Sequence, residues 1–134
     1  IASRIAPLPA AEGVFRRGIV SRNAREIAAT LGLAGEAAVS VETAAAVARA
    51  LCETSGASHG LAVLIAIDSG DDRTELGGDI CIGIADAAGT VTRRARLLGG
   101  RDWVRMGAGE MGLDCLRRHL LGLPVDERID FEKR

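Results

Sequence analysis

GLAVLIAI, residues 60–67, is the stretch on which the reading of this chain turns. A surface helix would interrupt such a run with polar residues every third or fourth position, and eight residues are too few for a buried helix. The run therefore reads as a strand covered on both faces and as the centre of a sheet. Beyond a polar, glycine-containing loop at 68–78, DICIGIA (79–85) alternates Ile80, Ile82 and Ile84 against Cys81, Gly83 and Ala85, a face small enough for close helix packing. DAAGT (86–90) turns the chain into a return strand at 91–98. That strand sets Arg94 and Arg96 on one face, and Val91, Ala95 and Leu97 on the other with Arg93 among them, so part of one sheet face is expected to be wet.

Helical spacing brackets this sheet. Upstream, Ser40 is a natural N-cap for VETAAAVARALCET, whose Val41, Ala44, Ala45, Ala48, Leu51 and Cys52 form a stripe. Downstream, 101–121 places Val104, Ala108, Met111, Cys115 and Leu116 inward. Nearer the start, residues 1–6 read as a helix end stopped by Pro7 and Pro9. VFRRGIV (14–20) reads as a strand, and NAREIAATL (23–31) as a helix ended by Gly32 and Gly35. The expectation is a single α/β domain over 1–134, a three-layer α/β/α sandwich, with a charged tail at 124–134.

Composition limits the chemistry. The 134 residues suffice for one core without disulfides or metal. Apolar residues make up 48% but aromatics only 2%, so small aliphatic side chains must let the layers approach closely. Cys52, Cys81 and Cys115 lie in apolar segments and read as the buried thiols of a cytoplasmic protein. There is no tyrosine, and the one lysine, Lys133, stands next to last, which removes most lysine or tyrosine acid–base chemistry. A net charge of -1 argues against a nucleic-acid partner, and no apolar run is long enough for a membrane span. Charge is uneven, however. Residues 61–90 carry one basic and six acidic groups, and 91–118 carry seven basic and three acidic groups, which suggests an anion-attracting surface or a self-complementary contact.

Arg101 and Arg105 stand out within that basic segment. At i,i+4 in the first turns of a helix they repel one another and oppose the positive end of the macrodipole, at roughly 0.2–1 kcal/mol for each effect. A bound anion removes both penalties, and arginine grips phosphate bidentately. The competing explanation is a solvated pair offset by Asp102. GAGEMG (107–112) has the spacing of a dinucleotide loop but lacks the preceding strand, so its glycines read as helix-packing positions. Cys115 and His119 share a helix face without enough further ligands for structural zinc, so they read as packing residues and no metal is expected. His59 reads as a strand-end residue, with no orienting partner evident. SGDDRTELGGD (69–79) lacks the ligand alternation of a calcium loop.

The opening IASRIAPLPAAEGVFRRGIVSRNAREIAATLGL lies without gaps on the pattern of the C-terminal domain of competence/damage-inducible protein A, CinA. Its landmarks are Arg4, Pro9, Val14, Phe15, Gly18, Val20, Leu31 and Gly32. AAVSVETAAAVARAL, GDICIGIAD and GGRDWVR resemble later segments of that family, so the similarity runs over nearly the whole chain. The resemblance implies an α/β sandwich, usually self-associating as a homo-oligomer, in a family whose active members deamidate nicotinamide mononucleotide. Three motifs depart from the pattern. The family's Glu-Ser-Cys-Thr-Gly-Gly motif would end just before Ile1. Its Tyr-Ser-Asn-Glu-Ala-Lys motif has Arg22 at the tyrosine and Ile27 at the lysine. Its Thr-Gly-Ile-Ala-Gly-Pro stretch falls at Leu64–Ser69, with Leu64 at or near the threonine.

No catalytic residue can be assigned on this basis, and no cofactor is implied. The reading that fits best is a divergent CinA-like domain that keeps a nucleotide or anion pocket built on Arg101, Arg105 and Arg22. An amidohydrolase with substituted partners and a purely structural self-associating subunit are the alternatives.

Overall fold

The computed structural model describes residues 1–34, 38–69 and 76–128. Ahead of the sheet lie α1 (Ala2–Ile5), α2 (Ala11–Val14), α3 (Ala24–Thr30) and α4 (Val41–Ser55). The strands β1 (Gly60–Ile67), β2 (Gly77–Asp86) and β3 (Gly89–Leu98) follow, and α5 (Arg101–Leu120) closes the order. The three strands form an antiparallel meander in the order β1-β2-β3, with Val63 opposite Ile82 and Ile82 opposite Arg93.

Each sheet face carries its own core. On one side α4 and α3 bury Ala24, Leu31, Ala44, Val47 and Ala48 against Ala62, Leu64, Cys81 and Ala85. On the other, α5 buries Val104, Ala108, Met111 and Cys115 against Ile80, Ile82, Ile84, Ala95 and Leu97. The three-layer α/β/α sandwich expected from the sequence is thus formed, in its smallest version.

Two expectations are corrected. The run at 60–67 is an edge strand, and β2 is the centre. Its unbroken apolarity has the physical cause already given, cover on both faces: Gly60, Ala62 and Leu64 face α4, while Leu61, Val63, Ile65 and Ile67 pack on the α5 core. Cover by two helix layers is independent of a strand's place in the hydrogen-bond order, so hydrophobicity could not rank β1 against β2. Residues 14–20 form no strand. Val14 ends α2, Phe15 is its extended C-cap, and Val14 and Val20 are among the most exposed apolar side chains described. Alternation alone does not make a strand when no neighbour offers a ladder.

Small residues set the layer spacing. A Cβ on Gly83 would stand 2.4 Å from the backbone carbonyl carbon and oxygen of Ala44, and one on Gly60 would stand 2.2 Å from the carbonyl oxygen of Ala48, so α4 rests directly on the sheet backbone. Gly107 and Gly112 of GAGEMG make room for sheet side chains under α5, where a Cβ would meet Leu97 Cδ1 and Val63 Cγ2 at 2.6 and 2.5 Å. That motif lies inside α5, so its glycines serve packing as expected.

The cap at Ser40 is present: its hydroxyl oxygen accepts the Thr43 N–H at 3.0 Å, and Gly56 ends α4 in the left-handed region at φ +68°. Ser40→Ala should lower stability by about 1 kcal/mol, read as a shifted urea midpoint with unchanged slope. Gly32, likewise at φ +72°, follows α3, whereas Gly35 lies outside the described residues.

Candidate functional site

The long helix α5 runs the length of the sandwich, and each of its ends carries a polar cluster. At the first end, where β1 finishes, β2 begins and β3 finishes, Gly99 adopts φ +134° and its N–H donates to the Leu76 carbonyl at 2.7 Å. Gly100 then caps α5 with extended backbone and no side-chain hydrogen bond, leaving the first-turn N–H groups without a side-chain acceptor among the described residues. Arg101 and Arg105 both project from this start, exposed, and their guanidinium groups make no hydrogen bond or ion pair among the described residues. Trp103, half exposed, covers Gly99, where a Cβ would stand 2.6 Å from its ring.

Arg22 is held differently. Asn23 caps α3 by accepting the Glu26 N–H at 2.9 Å, and the Glu26 carboxylate reaches back to accept the Ser21 hydroxyl at 2.8 Å and the Arg22 N–H at 3.1 Å. Those two bonds, the hydroxyl first, hold the Glu26 carboxyl below its usual range. The Arg22 side chain itself is exposed and makes no such bond among the described residues. It belongs to the α3–α4 layer, while Arg101 and Arg105 belong to the α5 layer. The structure therefore joins Arg101 and Arg105 at one helix start and adds no described contact between them and Arg22.

The charge asymmetry of the sequence is in part an internal pairing. Arg96 binds Asp68 through both guanidinium Nη atoms, Nη1 to Oδ1 at 3.3 Å and Nη2 to Oδ2, and lies 3.7 Å from Asp79, its cross-strand neighbour. Arg94 also reaches Asp79, at 3.7 Å. The acids of one segment thus offset arginines of the next across the β2–β3 ladder. Arg93 is buried on the α5 face, where its Nη1 donates to the Val125 carbonyl at 3.2 Å. Together with Arg118, which donates to the Pro124 carbonyl at 2.6 Å and pairs with Glu127, it ties the start of the charged tail to α5. Residues 129–134 of that tail and 70–75 of the acidic loop lie outside the described residues.

At the opposite end, β1 begins, β2 turns into β3 and α5 finishes, and sequence reasoning missed what meets there. His59, Asp86 and His119 come together with their ligand atoms within 4.8 Å of one another. His119 Nε2 lies 2.8 Å from Asp86 Oδ2, and His59 Nε2 lies 4.0 Å from the same oxygen. The two imidazoles meet edge to face with centroids 6.1 Å apart. Asp86 is fixed from behind, because its other oxygen accepts the Ala88 N–H at 2.8 Å in the β2–β3 turn. The His119 bond, then the Ala88 bond, hold its carboxyl below the usual range. A usable signal existed: Gly60 pairs with Ala85, so one step further along the hairpin sets His59 beside Asp86. Cys115, one turn before His119, instead faces the core, and its thiol is pushed up by burial.

Comparison with known proteins agrees with this architecture. The family model described as CinA C-terminal domain matches residues 1–120. A CinA-like protein of Frankia casuarinae is 40% identical over 132 residues, covering 95% of this chain and 30% of that protein. CinA-like proteins of Solibacter usitatus and Myxococcus xanthus are 32% and 33% identical, covering 91% and 93% of this chain and 31% of each relative. The chain thus spans about a third of the length of these curated relatives. No solved structure matches it. No helix among the described residues is long and apolar enough to cross a membrane. With the fold, its two helix layers and the match over residues 1–120 in agreement, this chain belongs to the CinA C-terminal domain family.

Proposed function

We propose that this domain binds a phosphate-bearing nucleotide, of which nicotinamide mononucleotide is the first candidate, at the start of α5, and that it does so without amide hydrolysis. The observation that carries this reading is the pair of exposed guanidinium groups, Arg101 and Arg105, without an acidic partner among the described residues, on a helix of 20 residues whose start has no side-chain cap. Two cations at the positive end of a helix dipole raise the energy of the free protein, and a phosphate satisfies both together with the first-turn N–H groups. Arg22, exposed on the α3–α4 layer, is the third arginine of this reading and a candidate contact to the part of the ligand away from the phosphate.

The absence of hydrolysis is argued from what fills the family's polar positions. Ile27 stands where the family pattern carries lysine, and it packs against the α4 core. Leu64 stands at or near the threonine, and only 5% of it is exposed, inside that core. An apolar side chain buried among aliphatics can neither take nor deliver a proton, so a nucleophile at this site would lack an oriented base.

The test is calorimetric titration of the full-length protein with nicotinamide mononucleotide, run beside an assay for released ammonia. Binding without ammonia, weakened at least tenfold in the Arg101→Ala/Arg105→Ala double variant, is expected. Ammonia released in proportion to protein and nicotinamide mononucleotide would overturn the non-hydrolytic reading. Binding unaffected by the double variant would overturn the site.

A further inference from the structure

The geometry points to a divalent transition-metal site, of the class that binds zinc, formed by His59 Nε2, Asp86 Oδ2 and His119 Nε2. It lies at the far end of α5 from Arg101, roughly 27 Å along the helix at 1.5 Å per residue, and is independent of the nucleotide reading.

The donor set is two imidazoles and one carboxylate, the mixed nitrogen–oxygen type that suits zinc and its neighbours rather than calcium or magnesium. In a tetrahedral site with bonds of about 2.0–2.1 Å, adjacent ligand atoms stand roughly 3.3 Å apart. Here they lie at 2.8 and 4.0 Å from Asp86 Oδ2 and within 4.8 Å overall, so shifts within reach of side-chain rotation bring all three onto one ion. The three residues come from three elements, the lead into β1, the β2–β3 turn and the last turn of α5. Their convergence is therefore a product of the fold rather than of local sequence.

What surrounds the ligand atoms strengthens the assignment. His59 Nδ1 lies 2.9 Å from the Ser58 hydroxyl oxygen. When that nitrogen carries the proton and donates it to Ser58, Nε2 keeps its lone pair facing the cluster, the outer-shell arrangement that orients metal-bound histidines. Asp86 Oδ1 is committed to the Ala88 N–H, so Oδ2 alone is presented. Without metal, His119 Nε2–H donates to Asp86 Oδ2. On binding, the ion takes the place of that proton: in the neutral imidazole the proton moves to Nδ1, and in the imidazolium, which already carries a proton on Nδ1, it leaves to solvent.

The side chains of Asp86 and His119 are each 21% exposed and that of His59 37%, so an ion can reach the cluster, and three protein ligands leave a fourth position for solvent. Ser58 and Asp86 also border a cleft of about 540 Å³ with Arg49, Cys52 and Glu53 on its walls. A three-ligand site with an open position beside a cleft is the arrangement in which zinc binds an exchangeable water rather than serving as a closed structural clamp. Cys52 is not part of this donor set: its thiol donates to the Ala85 carbonyl at 3.6 Å, and the three converging ligand atoms are those of His59, Asp86 and His119.

The experiment titrates chelator-treated protein with Zn2+ alone by calorimetry, with Co2+ absorption in the visible as a reporter of four-coordinate geometry. One ion per chain is expected. The decisive variant is His59→Ala, which removes one ligand and leaves the Asp86–His119 hydrogen bond in place, so that an unchanged thermal melt certifies the fold. Its Zn2+ affinity should fall at least about thirtyfold, with loss of the four-coordinate Co2+ spectrum, while Cys52→Ser binds as the wild type does. Absence of Zn2+ binding in the wild type, an affinity untouched by His59→Ala, or a loss that follows Cys52→Ser instead would each overturn the proposal.

Discussion

Gly83→Val should be strongly destabilising, lowering stability by about 3 kcal/mol or more. Gly83 sits on β2 at the point where α4 crosses. Even its Cβ would lie 2.4 Å from the carbonyl carbon and oxygen of Ala44 and 2.7 Å from the Ala45 nitrogen. Those are helix backbone atoms, so no rotamer change relieves the overlap. The helix must lift, and lifting it uncovers Ala44, Val47 and Ala48, which are 0–1% exposed. A fall on the order of 10 °C in melting temperature is expected. Gly13→Ala is the control: nothing lies within 4 Å of its added Cβ, and its effect should stay within about 0.5 kcal/mol. A Gly83→Val protein that melts with the wild type would show that α4 and β2 do not approach this closely.

Ile82→Ala acts from the other face and should cost about 3–4 kcal/mol. Ile82 is 1% exposed at the middle of the central strand, flanked in register by Val63 and Arg93 and covered by α5. Truncation leaves a cavity that a rigid three-layer core cannot collapse. The cavity also borders Arg93, a buried cation whose contacts include the Val125 carbonyl and whose surroundings would then admit water. Ile82→Val, which removes one methyl, should cost only about 1 kcal/mol. Equal losses for the two variants, measured by urea unfolding, would contradict tight packing at this position.

The two ends of α5 differ in how they could be read. The placement of Arg101 and Arg105 at an exposed helix start was legible because its signal is local: like charges one turn apart, set against a helix dipole. The His59–Asp86–His119 cluster was not, because its members are separated by 27 and 33 residues and each has an ordinary local explanation. His59 looked like a strand-end residue and His119 like a packing neighbour of Cys115. In the fold, His119 turns to Asp86 while Cys115 turns into the core, a difference of direction that i,i+4 spacing does not resolve.

The sequence by itself determined the elements that carry their own periodicity: α3 ahead of Gly32, α4 after its Ser40 cap, the three strands over 60–98, and α5 with its inward stripe. It also made the close layer spacing possible, since glycine and alanine at contact positions let helix and sheet approach. Tertiary structure alone decided the rest. It placed β2 rather than β1 at the centre, because cover on both faces looks the same in sequence whichever strand holds the middle of the ladder. It left 14–20 without strand pairing, because a strand needs a partner that composition cannot supply. It matched a 20-residue helix, about 30 Å long, to strands of 8–10 residues, and so brought the end of α5 to the hairpin turn where His119 meets Asp86 and His59.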